Sequence, residues 1–147
     1  MFGFVYFCCM SAADIAVRAL RGLEPEDFRI LSVVEVDMSR HRYVPEDDIS
    51  RLTGYPRKQV QYRLQRLCGL GLLYRWVGPY VGYVLSMAGY DCLAMNALVK
   101  ADVIEAFGKP LGVGKESDVY DALTPDGRRV AVKFHRLGRV SFRQTRR

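Results

Sequence analysis

Residues 111–120 read LGVGKESDVY and residues 129–134 read RVAVKF. Between them Thr124-Pro125-Asp126-Gly127 is a turn by its chemistry, because proline presets the first turn dihedral and glycine relieves the last. The flanking segments are therefore extended. Alternation sends Val130, Val132 and Phe134 to one face of the later strand, and Ala131 and Lys133 to the other. Ahead of the first strand, two glycines and a serine sit between extended segments. Such a loop either closes its backbone amides over a ligand or is the plain turn of a hairpin that also carries an exposed lysine.

Three phosphate-loop patterns compete for this stretch. A Walker loop on Gly114-Lys115 would need glycine at 109 and a hydroxyl at 116, where the chain has Lys109 and Glu116. A dinucleotide fold needs the loop to open a helix, whereas this loop runs into Val119-Tyr120 and a strand. The protein-kinase pattern G-x-G-x-x-G-x-V, followed by V-A-I-K on a later strand, fits. It takes Gly112, Gly114, Ser117 and Val119, then Val130-Ala131-Val132-Lys133, with serine in place of the third glycine. In that reading small residues let amides approach triphosphate oxygens, and Ser117 adds a hydroxyl donor. Lys133 supplies fixed positive charge for the α- and β-phosphates. Val119 and Ala131 form an apolar roof over the adenine ring.

Working outward, residues 11–101 read as helices and one hairpin. Ser11 caps a helix to about Arg21, with Ile15, Ala19 and Leu20 on one side and Gly22 at its end. Glu24-Pro25 opens a second helix, with Phe28, Leu31, Val34 and Met38 on one face; it stops before Tyr43-Val44-Pro45. A short helix from about Pro45 to Leu52, a turn at Thr53-Gly54-Tyr55 and a longer helix from Pro56 to Cys68 then form a helix-turn-helix pattern. In the longer helix Val60, Leu64 and Leu67 share a side. Lys58, Gln61, Tyr62, Gln65 and Arg66 wind to the other, with Arg57 and Arg63 at the flanks. A face of that composition suits phosphates and base edges. Residues 72–77 and 80–85, joined by Gly78-Pro79, read as a hairpin with aromatic residues on both arms. Helices followed by such a hairpin resemble the winged-helix fold. Trp76, Tyr80 and Tyr83 are expected to pack this wing rather than stack on bases. A further helix from about Ala88 to Ala101 has Tyr90, Leu93, Ala94, Ala97 and Leu98 as its expected apolar face.

The 147 residues carry 22 Lys and Arg against 16 Asp and Glu, a net charge of +6, and 50% are hydrophobic. This composition supports a packed core and excludes collagen-like, low-complexity and acidic disordered chains. The first 106 residues balance 12 bases with 12 acids, so residues 107–147 supply the whole excess. Within the balanced part, residues 49–90 hold six basic residues and no acid. They are either a surface for a phosphate-bearing partner or the solvated faces of ordinary helices. Cys8, Cys9, Cys68 and Cys92, with His41 and His135, match neither a zinc spacing nor a disulfide framework, so no metal site is assigned and a reducing compartment is expected. The apolar start MFGFVYFCCM is shorter than the roughly 18 residues a membrane span needs. Residues 1–9 are read as a start-site extension or a loosely packed strand, and no membrane association is expected.

One family unites the two parts. Gly114-Lys115-Glu116-Ser117, Asp118-Val119-Tyr120, the run Val132 to Gly138 and Ser141-Phe142-Arg143 resemble the RIO family of atypical serine/threonine kinases. The resemblance is strongest to its second subfamily, which joins an N-terminal winged helix to the kinase domain. It implies an α+β chain: an uncertain extension over 1–10, a winged helix over 11–104, and over 105–147 the first strands of a kinase N-lobe. It implies ATP with Mg2+, autophosphorylation or slow ATP turnover, and a cytoplasmic role in maturing the small ribosomal subunit, with rRNA and ribosomal proteins as partners. By position, Gly112, Val113, Gly114, Lys115, Glu116 and Ser117 form the loop over the phosphates, and Lys133 is the phosphate-contacting lysine. Ser141 lies where the family's flexible basic loop starts. A kinase further needs a glutamate to hold the lysine, a catalytic-loop aspartate, an asparagine and a metal-binding aspartate. The 147 residues hold no such motifs, so this chain alone is expected to lack phosphotransfer activity, to be a truncated form, and to bind ATP weakly at best. Two alternatives stay open: a winged-helix DNA-binding regulator, favoured by the basic face of the 56–68 helix, and a non-enzymatic assembly module docking ribosomal RNA or protein; Arg57, Lys58, Gln61, Tyr62, Gln65 and Arg66 are the candidate nucleic-acid contacts.

Overall fold

The computed structural model describes residues 10–114 and 116–136. The expectations for residues 1–9, for Lys115 and for Ser141 and its loop fall outside these.

Ser11 opens α1 (Ala12–Leu20) through a capping box with Asp14. Pro25 begins α2 (Pro25–Asp37), and Glu24 and Asp27 cap it reciprocally. The chain then turns into a two-residue strand, β1 (Val44–Pro45), which enters the short helix α3 (Glu46–Thr53). Gly54 ends α3 in the left-handed conformation, with φ 74°, which is where a side chain would be strained. After that turn α4 (Arg57–Gly69) runs into the hairpin β2 (Leu73–Val77) and β3 (Val81–Leu85). The sheet order is β1-β3-β2, all antiparallel, so the wing is anchored by the strand that precedes the helix-turn-helix. Ser86 caps α5 (Met87–Lys100) by accepting from the Gly89 amide at 3.0 Å and donating to the Gly71 carbonyl at 2.6 Å. Three further antiparallel strands follow, β4 (Ala106–Val113), β5 (Ser117–Leu123) and β6 (Arg129–His135), in that order in one sheet. No helix among the described residues is long and apolar enough to cross a membrane.

Val60, Leu64 and Leu67 are fully buried, as their spacing predicts. The face of α5 is different from the expected one. Ala88, Cys92 and Met95 are buried together with Asp91, while Tyr90, Ala94 and Ala97 are exposed. An apolar helix offers several faces to a periodicity argument, and here the partner decides. The small residues Ala13, Ala16 and Ala19 of α1 let the two helices pack closely, and Asp91 finds an arginine (below). In α1 those alanines replace the expected Ile15 and Leu20 as the deepest residues, and in α2 Ile30 joins Leu31 and Val34 while Phe28 and Met38 stay half-buried.

The aromatic residues of the wing close on the molecule itself. Trp76 stacks on Tyr43 with ring centroids 4.4 Å apart and meets Tyr80 edge-on at 5.4 Å. The Tyr80 hydroxyl donates to the Tyr43 carbonyl at 2.9 Å, and Tyr83 is buried.

Candidate functional site

Strand alternation divides the β4–β5–β6 sheet into two unlike faces. Asp118, Tyr120, Ala122 and Phe134 turn inward and join the core that contains α1. Val119 pairs directly with Lys133, and Asp121 with Ala131, so Val119, Ala131 and Lys133 share the outer face. On the other side Val119 pairs with Gly112. Gly112, Val119 and Lys133 thus form one row across three strands. β4 reaches this register through irregularities around Pro110, an edge-strand position where a missing amide is tolerated.

The loop glycines are not demanded by the chain's own packing. Neither Gly112 nor Gly114 has left-handed backbone, and a side-chain carbon added at Gly112 would meet nothing within 4 Å. Among the described residues the space beside Gly112 is open, which fits a ligand lying against the backbone there. Gly112, Val113, Gly114, Glu116, Ala131 and Lys133 are exposed, and Ser117 and Val119 half-buried.

The inner face is fixed by charge. Arg136, which follows β6, is buried and donates to Asp91 of α5 at 2.7 Å and to Asp118 of β5. Burial opposes its charge, but the hydrogen bonds it donates to the two carboxylates, with their negative charge, outweigh that and raise its pKa. The Tyr120 hydroxyl donates to Asp14 of α1; burial, then this bond, holds the phenol above its usual range. Sequence reasoning did not find this Asp91–Arg136–Asp118 junction. The available signal was a lone acid inside the otherwise uncharged stretch 87–99.

The second expected face lies on α4. Lys58, Gln61, Tyr62 and Gln65 are outward and exposed, with Tyr62 at 65%. Arg66 is not among them. It donates at 2.6 Å to Asp27, which is fully buried, and to the Gly22 carbonyl. Arg63 is buried beside it, donating to Asp27 at 2.9 Å and Glu24 at 2.8 Å. The reason is the acid-rich start of α2, which draws both arginines inward and staples α4 to it. Arg57 is exposed but paired with Asp47 at 3.1 Å, and Arg51 with Asp48 at 2.8 Å. Four of the six basic residues of 49–90 are therefore matched by acids from the segment before them.

The architecture is that of a winged helix followed by the opening strands of a kinase small lobe. The family model described as "Rio2, N-terminal" matches residues 20–101, and the chain belongs to that family. It is 47% identical over 110 residues to the RIO-type serine/threonine-protein kinase Rio2 of Methanocaldococcus jannaschii, an alignment covering 75% of this chain and 40% of the archaeal one. It is 40% identical over 129 residues to the serine/threonine-protein kinase RIO2 of Caenorhabditis elegans, covering 87% of this chain and 24% of that one. The crystal structure of the Rio2 kinase-ADP/Mg2+-phosphoaspartate complex from Chaetomium thermophilum superimposes with a TM-score of 0.77 at 34% identity, over 88% of this chain and 39% of the other. The chain thus spans at most about two fifths of the length of these relatives.

Proposed function

We propose that this chain is the winged-helix and nucleotide-loop portion (residues 11–104 and 105–147) of a RIO-type serine/threonine protein kinase or ATPase. ATP is held by the Gly112–Ser117 loop, with Val119 and Ala131 against the base and Lys133 on the phosphates. The single observation that carries this reading is the row Gly112–Val119–Lys133, at whose Gly112 end the space is open among the described residues. The ADP and Mg2+ bound by the Chaetomium relative support a magnesium nucleotide as the ligand. Lys133 neutralises phosphate charge, and the small exposed residues of the loop let the backbone approach the phosphates. Maturation of the small ribosomal subunit in the cytoplasm is the setting proposed for it, and the exposed Lys58, Gln61, Tyr62 and Gln65 of α4 favour RNA as a contact of the winged helix. Lys133→Met and Gly112→Val test the nucleotide reading. Each is expected to weaken Mg-ATP binding in a fluorescent-nucleotide competition by about tenfold or more, with unchanged circular dichroism. Equal affinity in both variants would overturn it.

A further inference from the structure

The turn between α2 and β1 gathers two carboxylates and an imidazole from separate elements. α2 ends at Asp37, and the amides of Arg40 and His41 donate back to the Asp37 carbonyl at 2.9 and 3.0 Å, which folds His41 over the helix end. Asp48, in the first turn of α3, closes the group from the other side. His41 Nε2 lies 3.2 Å from Asp48 Oδ2 and 3.7 Å from Asp37 Oδ2. Asp37 is only 3% exposed, and its Oδ2, the oxygen turned towards His41, has no hydrogen-bond partner among the described residues.

An ion pair alone does not account for this arrangement. A proton on Nε2 can be donated to Asp48, but 3.7 Å is beyond hydrogen-bond reach, so the buried Asp37 oxygen stays without a donor. A buried, unpartnered carboxylate oxygen is costly, and this one sits at the C-terminal end of a helix, where the backbone already presents negative charge. Asp48 is compensated differently: its other oxygen, Oδ1, accepts from Arg51 at 2.8 Å, which leaves Oδ2 free towards the centre. The three ligand atoms lie within 4.8 Å of one another. Zinc bonds of about 2.0 Å at tetrahedral angles separate ligand atoms by about 3.3 Å, between the two distances observed here.

We propose that Asp37, His41 and Asp48 bind one divalent transition-metal ion of the zinc class, with water in the fourth position. One imidazole with two carboxylates selects zinc over the hard cations magnesium and calcium, which prefer all-oxygen sites. The half-exposed His41 gives the ion its entrance. Bound there, the ion satisfies the orphaned oxygen and ties the end of α2 to the start of α3. That fixes the entry into the helix-turn-helix, away from the nucleotide row.

The full chain, stripped with a chelator, is titrated with zinc by calorimetry and with cobalt by visible absorption. The expected result is uptake of one ion, a tetrahedral cobalt band, and a Tm that rises with zinc concentration. His41→Gln and Asp48→Asn should each weaken binding at least about tenfold. Both positions are partly exposed, so metal-free circular dichroism should be unchanged. His135→Gln and Cys68→Ser should leave binding intact. No stoichiometric uptake would overturn the proposal and leave His41 as a bridge of charge between the two acids. So would uptake indifferent to His41→Gln and Asp48→Asn, or uptake lost with His135 or Cys68.

Discussion

Arg136 shows how one side chain can serve two elements. It neutralises Asp91 and Asp118, both buried, and neither acid has another cation among the described residues. Arg136→Met should cost about 3–5 kcal/mol in urea unfolding, because it leaves two carboxylates uncompensated in the interior. A loss below about 1 kcal/mol would mean that the pair is solvated in solution. Cys92 gives a prediction with a sign. Burial, then the charge of Asp91, raises its thiol pKa from 9.0 to about 12. The folded state therefore keeps a proton that the unfolded chain releases, so this contribution is complete below pH 9 and is lost as pH rises towards 12. Urea midpoints should fall across that window, and Cys92→Ala should remove part of the fall. The strand and outward face of Lys133 were legible at this scale because the alternation of 129–134 announces them. Arg136 was not, because its partner on α5 lies 45 residues away and no local spacing encodes that pairing.

At the scale of elements, the order of helices and strands could be read from caps, glycines and prolines. Ser11, Pro25, Gly54 and the Gly78-Pro79 turn each mark an end that the structure keeps. Faces were harder. α4 buries the expected Val60, Leu64 and Leu67, but its arginines answer to Asp27, so a helical wheel drawn without α2 overstates the outward charge. β1 was missed as a strand since two residues carry no alternation, and it exists through its pairing with β3. The close seat of α5 depends on Gly89, where a side-chain carbon would come within 2.3 Å of the Leu72 carbonyl oxygen. Gly89→Ala is therefore expected to lower Tm despite alanine's better helix propensity, since the clash is with backbone and the helix must shift. An unchanged or higher Tm would show that α5 has room to move away from the wing.

At the scale of the whole molecule, the basic residues of the winged-helix part do not form one surface among the described residues. The stretch 49–90 is largely matched by acids just before α2 and in α2 and α3, and Lys133 of the β-sheet lies in the row with Gly112 and Val119. The inner face of that sheet is joined to the helices by Tyr120 with Asp14 and by Arg136 with Asp91, while Ala131 and Lys133 on the outer face are exposed among the described residues. The central claim is that this outer face is the nucleotide site, and a backbone amide NMR titration with Mg-ATP tests it most directly. The account predicts shifts concentrated at Gly112, Gly114, Ser117, Val119, Ala131 and Lys133, with α4 unmoved. Shifts confined to α4 and the wing, or none at saturating Mg-ATP, would contradict it.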